Sequence, residues 1–314
     1  MSAPPIAAQG AIPRWLGVAL LLLIATTFGG NHIAARIAFD HGANVVTAVA
    51  ARSTGTVLFV LALLWINRVP FALPGTTVRR GLATGLVLAV QSYCLYSAVA
   101  RIPVALALLA FNTFPLMLSL ISWAAGAERP SRHALLAMPV ALIGLALALD
   151  VAAIAGGPSM REGTMLRMGD RWQEIGAGVA FALVAALSFA TVVFLTTRWL
   201  GAVDGRMRSL LMMSAVAAAA LAGGTVTQGF ALPADTTGWL GLALLTLFYG
   251  SAITSLFVLL PRLGAVNNAA LLNFEPISVL FLAWPILGQK IAPLQILGAF
   301  IVIGAIVALA TGKR

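Results

Sequence analysis

Residues 101–129 read RIPVALALLAFNTFPLMLSLISWAAGAER, and residues 262–290 read RLGAVNNAALLNFEPISVLFLAWPILGQK. The two stretches superpose without a gap. Arg101 falls on Arg262, Asn112 on Asn273, Pro115 on Pro276 and Arg129 on Lys290. The same spacing carries back to the start of each half, with Gly17 on Gly178, Ala25 on Ala186 and Phe28 on Phe189. Self-similarity at one fixed spacing marks a chain built from repeated units. The spacing here is about half of the 314 residues.

Composition says what solvates those units. Hydrophobic residues make up 61% and charged residues 9%, against about 25% charged in soluble domains. So few charges cannot cover a water-exposed surface, so the solvent is a lipid bilayer. The net charge of +10 is scattered between apolar runs and forms no basic stripe, which argues against nucleic acid as a partner. Cys94 is the single cysteine, so no intrachain disulfide can form. Its apolar setting points to an inert thiol.

A membrane helix needs about 20 mostly apolar residues. Ten runs qualify: 15–36, 44–66, 81–100, 103–124, 133–155, 174–197, 208–227, 238–260, 264–287 and 292–311. They are long, continuous and rich in Leu and Ala, unlike the short alternating segments of a membrane barrel. The expected fold is an all-α membrane protein of ten transmembrane helices in two repeats. A tail over 1–14 precedes the first repeat at 15–155. A linker over 156–173, with Gly156-Gly157-Pro158 and mixed charges, leads to the second repeat at 174–311 and a tail at 312–314.

Ten spans put both termini on one side. Loops on that side carry Arg14, Arg68, Arg79, Arg80, Arg129, Arg132, Arg198, Arg206, Arg208, Arg262, Lys313 and Arg314. The other side carries Arg36, Arg101, Arg161, Arg167, Arg171 and Lys290, half as many. The positive-inside bias therefore predicts cytoplasmic termini in a bacterial-type inner membrane and places the linker outside. Five spans per half is an odd number, so the second half enters the membrane from the opposite face. That is an inverted repeat, in which two near-equivalent arrangements of the halves become available, one open to each side.

The local motifs then resemble those of the drug/metabolite transporter superfamily, in its EamA family. They are Phe28-Gly29-Gly30-Asn31, Tyr96-Ser97-Ala98 leading to Arg101-Ile102-Pro103-Val104-Ala105, and Pro115 followed by Gly126-Ala127-Glu128-Arg129. In the second half they are Pro261-Arg262-Leu263-Gly264-Ala265, Glu275-Pro276, Gly288-Gln289-Lys290 and the last span from Gly298 to Gly304. Where the family usually has Gly-Glu, this chain has Gly288-Gln289, while Glu128 keeps the acid in the first half. The resemblance implies a secondary transporter of small metabolites, and its nearest branch resembles amino-acid exporters. It implies no cofactor. Another small solute, such as a nucleobase or a drug-like amphiphile, is the alternative, with a membrane partner protein behind it.

Polar groups inside apolar spans are costly and need a partner or a watery cavity. Glu275, beside Pro276, could bind a substrate amine or a coupling proton, or pair structurally with Arg52. Arg52 in turn could hold a substrate carboxylate. Pro115 and Pro276 are helix kinks that free the carbonyls of Phe111 and Leu272. Asn112 and Asn273 precede them on the same face, either beside a cavity or bonded across helices. Asn31 and His32 lie toward the outer end of span one, where His32 is a relay, a substrate contact or simply a bonded side chain. Gln91, Tyr93 and Tyr96 in span three, with Tyr249 and Ser251 in span eight, could wall a cavity. Trp123 and Trp284 fit interfacial anchoring better. Nothing has the spacing of a metal site, a nucleophile motif or a phosphate-binding loop, which leaves an embedded enzyme or a primary pump without support.

Overall fold

Where apolar runs are this long, the backbone must satisfy its own hydrogen bonds, and helices result. A computed structural model describes residues 14–68, 72–126, 139–140, 142–144, 146–147, 159–161, 164–166, 168–226, 229–263, 274–288 and 292–311. The first half contains α1 (Arg14–Asp40), α2 (Val45–Ile66), α3 (Gly75–Arg101), α4 (Val104–Phe111) and α5 (Phe114–Ala124). Residues 139–140, 142–144 and 146–147 are also helical. A short antiparallel hairpin follows, β1 (Ser159–Arg161) with β2 (Thr164–Leu166). The second half contains α6 (Met168–Leu200), α7 (Gly205–Val226), α8 (Thr236–Leu263), α9 (Glu275–Leu287) and α10 (Pro293–Thr311).

Seven helical segments among the described residues are long and apolar enough to cross a membrane: α1, α2, α3, α4 with α5, α6, α7 and α8. The fifth predicted span and the first part of the ninth fall largely outside the described residues, as do Glu128, Leu272, Asn273 and Lys290. Helix α6 begins at Met168, inside the segment read as linker. Large apolar side chains such as Leu23, Leu58, Phe281 and Phe300 point outward, as a lipid surround requires.

The fourth predicted span is not one kinked helix. It divides into α4 and α5 at Asn112-Thr113. Pro115 has no N–H to return to Phe111, so the ladder cannot run through. Two of the last carbonyls of α4 gain side-chain donors beside the backbone N–H groups of Asn112 and Thr113: Asn112 Nδ2 donates to Leu108 O at 2.7 Å and the Thr113 hydroxyl to Ala110 O at 2.8 Å. Pro115 then lies in the first turn of α5, where a missing N–H costs nothing. Pro276 occupies the same place in α9.

The two halves pair along a pattern that survives their exchange. Contacts run between α3 and α6 and between α1 and α8, and each pair becomes the other when the halves swap. The α3–α7 and α2–α8 contacts interchange likewise, as do α1–α9 and the packing of α4 and α5 on α6. A two-fold relation between the halves requires this pattern. Tight approach at the seam depends on small residues. A Cβ on Gly241 would meet the backbone at Ala34 O and Ala38 N, both at 2.9 Å, and one on Gly29 would meet Ser278 Oγ at 2.6 Å.

Candidate functional site

Four helices bring polar side chains together along this seam. Helix α1 contributes Asn31 and His32, α2 Arg52, α3 Gln91, Ser92 and Tyr96, and α8 Tyr249, all buried. Tyr96 is the hub. Its hydroxyl donates to Asn31 Oδ1 at 2.9 Å, and its ring lies 5.7 Å from that of His32. One face of the hub is covered by Arg52, whose Cζ is 4.9 Å from the Tyr96 ring centre and 3.8 Å from that of Tyr249. The guanidinium is thus held between two phenol faces, a cation–π arrangement that gains strength away from water. Arg52 Nη2 donates to the Ser92 hydroxyl at 2.6 Å, and that hydroxyl donates to Gln91 Oε1 at 3.3 Å.

The second half adds the acid. His32 Nε2 lies 3.4 Å from Glu275 Oε1, with the Glu275 side chain 19% exposed. Glu275 opens α9, where a carboxylate near the free N–H groups of the first turn is electrostatically favoured. The Ser278 hydroxyl donates back to Glu275 O at 2.7 Å and ties down this turn. Three buried polar atoms in the cluster have no hydrogen-bond partner among the described residues: Asn31 Nδ2, His32 Nδ1 and Arg52 Nε. Buried polar groups are normally satisfied, so these three atoms are free to meet a further polar group.

Of the residues singled out from the sequence, Asn31, His32, Gln91, Tyr96, Tyr249 and Glu275 come together. Asn112 donates its side-chain amide to Leu108 O in its own helix, not across helices. Asn273 lies outside the described residues. Tyr93 turns outward and is 48% exposed, so it does not wall the cluster. Ser251 bonds Phe248 O within its own helix. Arg52 and Glu275 do not pair: His32 takes the acid and the tyrosines take the cation. Ser92 was missed. It sits four residues before Tyr96, one helical turn away on the same face, which was its only signal. Among the described residues no group of His, Cys, Asp and Glu could hold a metal ion.

Two features lie beside this cluster. An apolar groove of about 550 Å³ runs between α2 and α8, lined by Ala51, Gly55, Phe59, Trp239, Leu242, Ala243, Thr246, Leu247, Gly250 and Ser251. Its lining includes the chain neighbours of Arg52 and Tyr249 but neither of those side chains. Beyond the spans, His41 Nδ1 is 2.7 Å from Asp235 Oδ2. The Gly238 N–H, then His41, hold the Asp235 carboxyl below its ordinary value of 3.8.

A sequence model described as the EamA-like transporter family matches the chain twice, over residues 15–149 and 176–311. Among 15 matching solved chains, one titled "Crystal structure of protein" has 16% identity and a TM-score of 0.62, over 95% of this chain and 99% of that chain. At that identity the likeness concerns the fold alone. No curated relative matches significantly.

Proposed function

The chain belongs to the EamA-like transporter family, and on that premise we propose that it moves amino acids outward across a bacterial-type inner membrane. The family is one of membrane transporters of small solutes. The finer reading rests on one observation, the contact between His32 of the first half and Glu275 of the second. A carboxylate beside an imidazole, inside apolar helices and at the seam of two repeats, can take a substrate ammonium or a coupling proton. Its two members belong to different halves, so rocking the halves makes and breaks the contact.

The mechanism follows from the repeat. In one arrangement Glu275 faces His32; in the exchanged one the seam opens to the other side. A bound ammonium replaces the imidazole as partner of Glu275 and lets the halves move without a bare buried charge. The termini lie in the cytoplasm, in keeping with the excess of Lys and Arg on that side. Substrate sits between α1, α3, α4, α6, α8 and α9.

The test is counterflow in liposomes containing the purified protein, with labelled neutral, aromatic, basic and acidic amino acids, nucleobases and sugars. Saturable exchange of amino acids is expected. Exchange of nucleobases or sugars alone would keep the transporter and overturn the substrate.

A further inference from the structure

We propose that Arg52 is the anchor for the carboxylate of the transported solute, and that this site therefore selects monoanionic carboxylates. The inference rests on the transporter reading above and adds the group at the other end of the substrate.

Arg52 is 3% exposed within the first half of α2. A cation removed from water and lipid headgroups normally has an anionic partner. Here the ion pairs of the described residues leave Arg52 out, and its polar contacts are to neutral groups, the Ser92 hydroxyl and the Tyr96 phenol. Nε is buried and unpartnered. The ring faces of Tyr96 and Tyr249 cover the guanidinium plane but bring no negative charge to balance it. What remains is a planar fork with unused donors, the geometry that matches a carboxylate. Asn31 Nδ2, on the residue bonded to the Tyr96 hydroxyl, is a further unpartnered donor on the same hub.

Two observations separate a binding role from a structural one. The spacing that relates the halves places Met213 where Arg52 stands in the first half, and Met213 is buried in the core. The repeat therefore folds around an apolar side chain of similar length at this position, and the charge is not needed to build it. Second, the clamp spans the seam: Arg52 and Tyr96 come from the first half and Tyr249 from the second. Separating α2 from α8 lifts one ring off the guanidinium, and the groove between those helices, flanked by Ala51 and Gly250, lies alongside. Among the residues whose burial is described, Arg52 is the only buried arginine. One cation matches a monoanion better than a doubly charged phosphate.

The test reads binding, not flux, as ligand-induced thermal stabilisation of the detergent-purified chain. The probes are 3-phenylpropionate and butyrate (carboxylate only), phenethylamine and butylamine (amine only), and L-phenylalanine and L-2-aminobutyrate (both). At least one carboxylate-bearing probe is expected to stabilise the wild type, and its amine-only counterpart to do so far less. Arg52→Met should keep the ligand-free melting temperature and weaken carboxylate binding about tenfold or more. Arg52→Lys, which keeps the charge and loses the fork, should fall between. Amine-only probes binding as well as their carboxylate partners would overturn the inference. So would carboxylate binding unchanged in a folded Arg52→Met, or no carboxylate binding to the wild type. Stabilisation by 3-phenylpropionate or butyrate through Arg52, without any by the two amino acids, would support the anchor while overturning the amino-acid reading.

Discussion

Phe114-Pro115 and Glu275-Pro276 are the same backbone device used for different ends. Each proline stands in the first turn of a helix that starts partway through a span. Phe114 is seated on other rings, 5.7 Å from Phe111 and 4.9 Å from Phe189. Glu275 meets His32. The contrast extends through the cluster at the constant repeat spacing. Asn31 corresponds to Val192, His32 to Val193, Arg52 to Met213, Ser92 to Ile253 and Tyr96 to Phe257. The scaffold is symmetric and the chemistry is not. A two-fold bundle needs matched small residues and breaks, while one solute needs one set of polar groups. Duplicated buried charges would only add desolvation cost.

The comparison breaks most severely if the acid is copied into the first half. Phe114→Glu places a carboxylate among Phe111 and Phe189 with no base beside it, and should cost about 3–5 kcal/mol of stability. A melting temperature close to wild type would mean that this position already borders a polar space. The reverse change is milder in fold and larger in function. Glu275→Gln keeps the shape and loses a charge-assisted contact of about 1.5–3 kcal/mol, so counterflow should fall roughly ten- to a hundredfold in protein that still elutes as a single species. Wild-type rates would remove Glu275 from the site.

Tyr249 sharpens the comparison within the clamp. Tyr249→Phe keeps the ring over Arg52, whereas Tyr249→Ala removes a cation–π contact of about 0.5–2 kcal/mol. Alanine should weaken apparent substrate affinity by several-fold and phenylalanine hardly at all. Equal losses in both would point to the phenol hydroxyl. The smallest effect lies outside the spans, at Asp235. Its carboxyl is held below 3.8 in the folded chain by Gly238 and His41. A lowered carboxyl value stabilises the fold above the ordinary value, and that contribution disappears as pH falls through the lowered one. Asp235→Asn should therefore lower the melting temperature slightly at neutral pH, and the gap should close in strong acid. A gap that persists there would assign the effect to the helix cap instead of the charge.

Much of the bundle was legible because lipid imposes simple demands. Apolar runs of helical length, the repeat, the paired prolines and the polar residues of α1, α3 and α8 all follow from the chain. The cluster was legible only in part. Tyr93 and Ser92 lie on either side of the face that carries Tyr96, three and four residues away, and both are plausible neighbours by helical spacing. The structure turns Ser92 inward to Arg52 and Tyr93 outward. In a soluble helix the polar face would have settled the choice. Here the lipid-facing and protein-facing sides are both apolar, so amphipathicity carries little signal.

By itself the sequence determined that the chain is a membrane protein of two homologous helical halves, because composition and self-similarity need no tertiary information. Only the tertiary structure decided that His32 meets Glu275 and that Arg52 is clasped by Tyr96 and Tyr249. Those contacts join residues from distant segments across a seam. Their geometry is set by how closely α1, α8 and α9 approach at Gly241 and Gly29, a distance that no local pattern encodes.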